Sequence, residues 1–125
     1  MASAVTSGIR VTVEARHLAE RSEPGRWFFS YEVRIANEGP TSAKLVSRHW
    51  IITDATGREE HVKGPGVIGQ QPTIGPGQSH QYTSFCPLPS PLGSMRGSYQ
   101  MIRPDGTTFD AAIPEFALAV PDSLN

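Results

Sequence analysis

The segment from Trp27 to Ile35 constrains this chain more than any other. Trp27, Phe29, Tyr31, Val33 and Ile35 alternate without a break with Phe28, Ser30, Glu32 and Arg34. A period of two cannot form one apolar face of a helix, but it places all five large side chains on one face of an extended strand. The aromatic and β-branched content favours the same conformation. Turn signals bound the run on both sides, Glu23-Pro24-Gly25 before it and Asn37-Glu38-Gly39-Pro40 after it. A strand with one apolar face needs a second layer to cover that face.

The remaining segments predict the same kind of element. Ile9, Val11 and Val13 alternate with Arg10, Thr12 and Glu14, and a further strand runs from Lys44 to Thr53, closing on Asp54-Ala55-Thr56-Gly57. Arg58 to Lys63 is short and charged, which suits an edge strand. After a turn over residues 72–78, His80 to Phe85 is extended, and Pro87-Leu88-Pro89-Ser90-Pro91 reads as a stiff loop. Ser98–Ile102 and Thr107–Ile113 flank Arg103-Pro104-Asp105-Gly106, a hairpin turn in which Pro fixes φ, Asp bonds its own backbone and Gly supplies positive φ. No segment carries sustained helical spacing with caps. About seven short strands predict an all-β sandwich or small barrel. Residues 1–7 read as a mobile lead-in, 8–120 as one domain and 121–125 as a tail.

Composition narrows the functional classes. Eleven Lys plus Arg against 12 Asp plus Glu leave a net charge of -1, so nothing drives the chain globally toward nucleic acid or acidic lipid. The single cysteine, Cys86, has no intramolecular partner, and no signal-peptide pattern opens the sequence. The longest apolar runs, such as Phe116 to Val120, fall far below the ~20 residues that cross a bilayer. The expectation is a soluble cytoplasmic protein.

Gly64-Pro65-Gly66-Val67-Ile68-Gly69 has the spacing of a dinucleotide fingerprint, but not its context. Such a fingerprint follows a buried strand and opens a helix whose N–H groups hold the pyrophosphate. Here a charged edge precedes it, Pro65 removes a donor, and Gln70-Gln71-Pro72 cannot propagate a helix. The glycines then serve positive φ or close chain approach in a loop. The alternative is an exposed backbone nest for an anion or a partner, built from Gly64, Gly66 and Gly69 with charge from Lys63 and Arg58. The histidines, at 17, 49, 61 and 80, show no short ligand spacing, and Glu59-Glu60 reads as a solvated edge, so neither metal nor cofactor is expected. Ser84 or Cys86 with a histidine and Asp54 or Asp110 forms a triad only on paper, no G-x-S-x-G elbow exists, and no enzyme is expected. Phe28 lies on the face opposite Trp27 and Phe29, where it is either covered or free to anchor a partner.

From about Val11 to Phe116 the chain resembles the ApaG family. The resemblance rests on Ser47-Arg48-His49-Trp50-Ile51-Ile52-Thr53-Asp54, the Gly64–Gly69 loop with Gln71-Pro72, Pro76-Gly77, Tyr82-Thr83-Ser84, and Met95-Arg96-Gly97-Ser98-Tyr99-Gln100-Met101. His80 departs from the aromatic or apolar residue expected there. The resemblance implies a fibronectin type III-like sandwich and a bacterial protein associated with cobalt and magnesium handling, often encoded beside a diadenosine tetraphosphate hydrolase. Similar domains sit inside larger eukaryotic proteins, including an F-box protein, which implies a module that binds another protein. The expected function is therefore a non-catalytic interaction module acting indirectly on divalent cations, with a sheet edge or the Gly-Pro loops meeting the partner. The alternative is a sensor of a phosphate-containing small molecule at the 63–70 loop.

Overall fold

The structure is a computed structural model and describes residues 1–121. It contains β1 (Ala2–Thr6), β2 (Ile9–His17), β3 (Trp27–Asn37), β4 (Ala43–Asp54), β5 (Glu59–Pro65), β6 (Thr73–Ile74), β7 (Ser79–Leu88), β8 (Leu92–Ile102) and β9 (Thr108–Ala119). One turn of 3-10 helix lies at Ala19–Arg21. All pairings are antiparallel, in two sheets ordered β1-β2-β3-β7 and β5-β4-β8-β9, with the short β6 added to β4. The chain is thus an all-β sandwich of the immunoglobulin/fibronectin type III class.

The alternation that predicts β3 is the alternation that builds the core. Phe29, Val33 and Ile35 are fully buried, Tyr31 nearly so, and Trp27 packs against their cluster. The second layer answers with Leu45, Trp50, Met95, Tyr99, Met101 and Leu118. Trp50 is the hub: the rings of Tyr31, Phe116 and Tyr99 meet it edge-on at 5.2, 6.0 and 6.3 Å between centroids. Such pairs add about 1 kcal/mol each beyond the area they bury. Phe28, on the opposite face, is half-buried with the Arg26 guanidinium 4.8 Å above its ring.

Two segments depart from the sequence expectation. The lead-in forms a strand, because Ala2 to Thr6 pairs in full register with Val13 to Ile9 across the Ser7-Gly8 turn. Its alternation of small residues is too weak to signal a strand. The stiff loop shrinks to Pro89–Pro91, because β7 continues to Leu88. Pro87 fits there since β7 is an edge strand, where one missing N–H breaks no inner ladder. The expected tail lies, from residue 122, outside the described residues.

Two bulges shape the second sheet. Leu45 faces Met101, but Ser47 faces Gln100, so Val46 is an extra residue in β4. A further shift between β8 and β9 places Pro114 and Glu115 opposite Arg96. Each bulge swaps the faces of the residues beyond it. In β4 the inward set changes from Ala43 and Leu45 to Arg48, Trp50 and Ile52. On one side the β1–β2 hairpin lies along β9, with the Ala112 N–H donating to Thr6 Oγ1 at 3.1 Å. On the other side the edge strands β5 and β7 stay apart and leave a cleft.

Candidate functional site

The glycine loop is a tight excursion anchored to the β4 bulge. The Gly66 N–H and the Gln71 Nε2 both donate to the Val46 carbonyl, at 2.9 and 2.8 Å, and the Leu45 N–H donates to Pro72 at 3.0 Å. Val67 is buried and closes a two-residue turn with Gln70, whose backbone groups exchange hydrogen bonds of 2.8 and 3.0 Å. The turn residues, Ile68 and Gly69, have φ of 46° and 74°, the geometry of a type I′ turn. A side chain at Gly66 would come within 2.2 Å of the Gln70 carbonyl oxygen, and one at Gly64 would touch the Arg48 guanidinium at 3.0 Å. Close approach and positive φ account for the G-x-G-x-x-G spacing.

The loop brings Gly64, Gly66 and Gly69 together but not the charges expected beside them. Lys63 pairs with His49 on the outward face of β5, while Arg58 lies at the far end of that strand, about 17 Å away along the chain. The N–H groups of Gly66, Val67 and Gln70 are spent on carbonyls, leaving those of Ile68 and Gly69. The residue that sequence reasoning missed is Arg48. Its Nη1 donates to the carbonyls of both Pro65 and Gly66, at 3.0 Å each. Its inward position depends on the Val46 bulge, for which periodicity gives no signal.

Arg48 looks into the cleft between β5 and β7. Two adjoining recesses of about 310 and 300 Å³ share Ile52, Glu60 and Pro87. The second is floored by Tyr31, Trp50 and Met95 and walled by Val62, Ser84 and Cys86. Tyr31 and Ser84 are cross-strand neighbours on β3 and β7, and the hydroxyls of Tyr82 and Tyr99 bond each other. Burial raises all three tyrosines above their ordinary range, while the positive charge of Arg48 opposes that rise. Burial also pushes the Cys86 thiol up to about 12, with Glu60 adding to the effect.

The other candidates separate across the fold. Nε2 of His49 lies 2.9 Å from Nδ1 of His61 on the outer face of the β4–β5 pair. His61 in turn approaches Glu59 at 3.8 Å, and Arg96 pairs with Glu59 at 2.9 Å. His17 bonds the Ser22 hydroxyl at 3.1 Å, and His80 lies half-buried beside the Tyr82 ring, both in the opposite sheet. Among the described residues no three potential ligands cluster around a common point. Asp54 accepts hydrogen bonds from Thr56 and Arg58 in its own turn, and no histidine among the described residues bonds Ser84 or Cys86. Among the described residues no helix is long and apolar enough to cross a membrane.

Comparison with known proteins gives one consistent answer. The ApaG domain signature matches residues 17–103. The chain is 59% identical over its full length to the full-length Protein ApaG of Anaeromyxobacter dehalogenans, and 55% identical over 119 residues, 94% of each chain, to that of Pseudomonas paraeruginosa. A solved structure of an ApaA protein from Bordetella pertussis superposes with a TM-score of 0.88 at 47% identity, covering 90% of this chain and 94% of that one.

Proposed function

The chain belongs to the ApaG family, and on that premise we propose that it is a cytoplasmic, non-catalytic module that binds another protein through the tip of its glycine loop. Its link to cobalt and magnesium homeostasis runs through that partner. The observation that carries this reading is Ile68. A β-branched residue in the left-handed region is an outlier that costs about 1–2 kcal/mol, yet Ile68 holds φ 46° with its side chain 61% exposed. It gains little burial in return. Strain of this kind, on a loop fixed at both ends, fits a side chain displayed for recognition.

The test is affinity capture from the source cell at native abundance, comparing the chain with its Ile68→Asn variant. The variant keeps the turn and removes the apolar tip. The reading expects a partner that the variant loses; an empty capture, or one that Ile68→Asn leaves unchanged, overturns it. A phosphate sensor is the second reading, favoured by the N–H groups of Ile68 and Gly69, which meet no acceptor among the described residues. Unfolding temperatures with and without ATP, diadenosine polyphosphate, cobalt and magnesium separate the two, since a ligand of the native state raises the midpoint.

A further inference from the structure

We infer that the cleft between β5 and β7 is a binding site for a small organic monoanion, a carboxylate carried on a short apolar or aromatic body and held by Arg48. The argument starts from charge. Arg48 is half-buried and faces the space between the sheets, yet no carboxylate among the described residues pairs with it. Its Nη1 is engaged by the loop carbonyls, while Nε and Nη2 donate to no protein acceptor among the described residues. A guanidinium withdrawn from water without a counterion is costly, and its planar edge matches a carboxylate.

The surroundings complete the site. The recess of about 300 Å³ beside Arg48 lies at the lower end of the range for small-molecule pockets. Its walls are the apolar Trp50, Val62 and Met95, with the cross-strand neighbours Tyr31 and Ser84 as the polar groups. Glu60 lines both recesses, and Asp54 and Glu59 line the adjoining one, where they and Glu60 outnumber its single cation, Arg58. These carboxylates disfavour a polyphosphate and select a ligand with one charge. The site is distinct from the Ile68 tip, although Arg48 joins them through the carbonyls it holds.

The test is an amide and indole NMR titration with benzoate, with pyrophosphate as the comparison. The proposal expects saturable shifts at Tyr31, Arg48, Ser84 and Cys86 and at the Trp50 indole, with half-saturation at about 0.1–1 mM for benzoate. Pyrophosphate is expected to leave these signals unmoved. Arg48→Met is expected to weaken benzoate at least ~10-fold. Because Arg48 also supports the loop, Val62→Trp provides a second arm, filling the recess from β5 while leaving the guanidinium in place. No saturable shift with benzoate, saturation by pyrophosphate at the same residues, or benzoate binding that survives Val62→Trp each overturns the proposal.

Discussion

Replacing Ile68 by Asn should make the protein more stable although it deletes an apolar side chain. The turn Val67–Gln70 requires positive φ at both central residues, and Ile68 meets that requirement at φ 46°. The left-handed conformation costs a residue with a Cβ about 1–2 kcal/mol, and a β-branched one stands at the upper end. Asn tolerates the conformation and is a preferred first residue of a type I′ turn. Against this stands the lost burial of Ile68, which is small because the side chain is 61% exposed. The balance is a gain of about 1 kcal/mol, which for a chain of this length raises the melting temperature by about 3–5 °C. Thermal unfolding by circular dichroism, with urea midpoints as a second measure, reads the change. Gly69→Ala supplies the mirror case: φ is 74° and nothing lies within 4 Å of the added Cβ, so only conformational strain acts, and stability should fall by about 1 kcal/mol. If Ile68→Asn destabilises the protein, the strain argument is refuted, and with it the physical basis for Ile68 as a displayed side chain.

Asn37→Ala should cost about 3 kcal/mol in urea unfolding, because Asn37 is buried, its Nδ2 donates to the Thr41 and Ile74 carbonyls, and its Oδ1 accepts the Gly39 N–H. Cys86 should resist iodoacetamide in the native protein near pH 8 and react on denaturation, since burial holds its thiol at about 12. His49 should titrate below the ordinary histidine value by proton NMR, through desolvation first and then the charges of Lys63 and His61. A depressed folded value means that the unfolded chain takes up the proton more readily. His49's contribution to stability is therefore complete above the ordinary histidine pKa and lost as pH falls through the folded value, and His61→Ala should raise the His49 midpoint.

The central strands were legible because nothing interrupts their alternation: Trp27 to Ile35 and Ile9 to Val13 take the faces that their spacing assigns. The Arg103–Thr107 turn was legible from its chemistry, and Asp105 does accept the Thr107 N–H and hydroxyl. β1 was not, since Ala2 and Ala4 carry almost no hydrophobic signal and owe their order to pairing with β2. The glycine loop could be recognised as a turn, whereas the need for Gly64 comes from Arg48, sixteen residues earlier in the chain. Trp50, Ile51 and Ile52 in succession hid the inward set of β4. Asn37 read as a turn former, and its triple hydrogen bonding exists only once Ile74 is brought beside it.

The extra residue at Val46 acts as a half-period offset in the two-beat rhythm of β4. Upstream of it, odd-numbered residues belong to the core; downstream, even-numbered ones do. Deleting Val46 would restore an unbroken ladder, because the Leu45–Met101 pair would be followed directly by Ser47–Gln100. Arg48, Trp50 and Ile52 would keep their inward places opposite Tyr99, Gly97 and Met95. The same deletion would remove the carbonyl that holds Gly66 and Gln71. One inserted peptide unit thus anchors the loop without disturbing the cleft, and strict alternation read through this position would assign the wrong face to every residue after it.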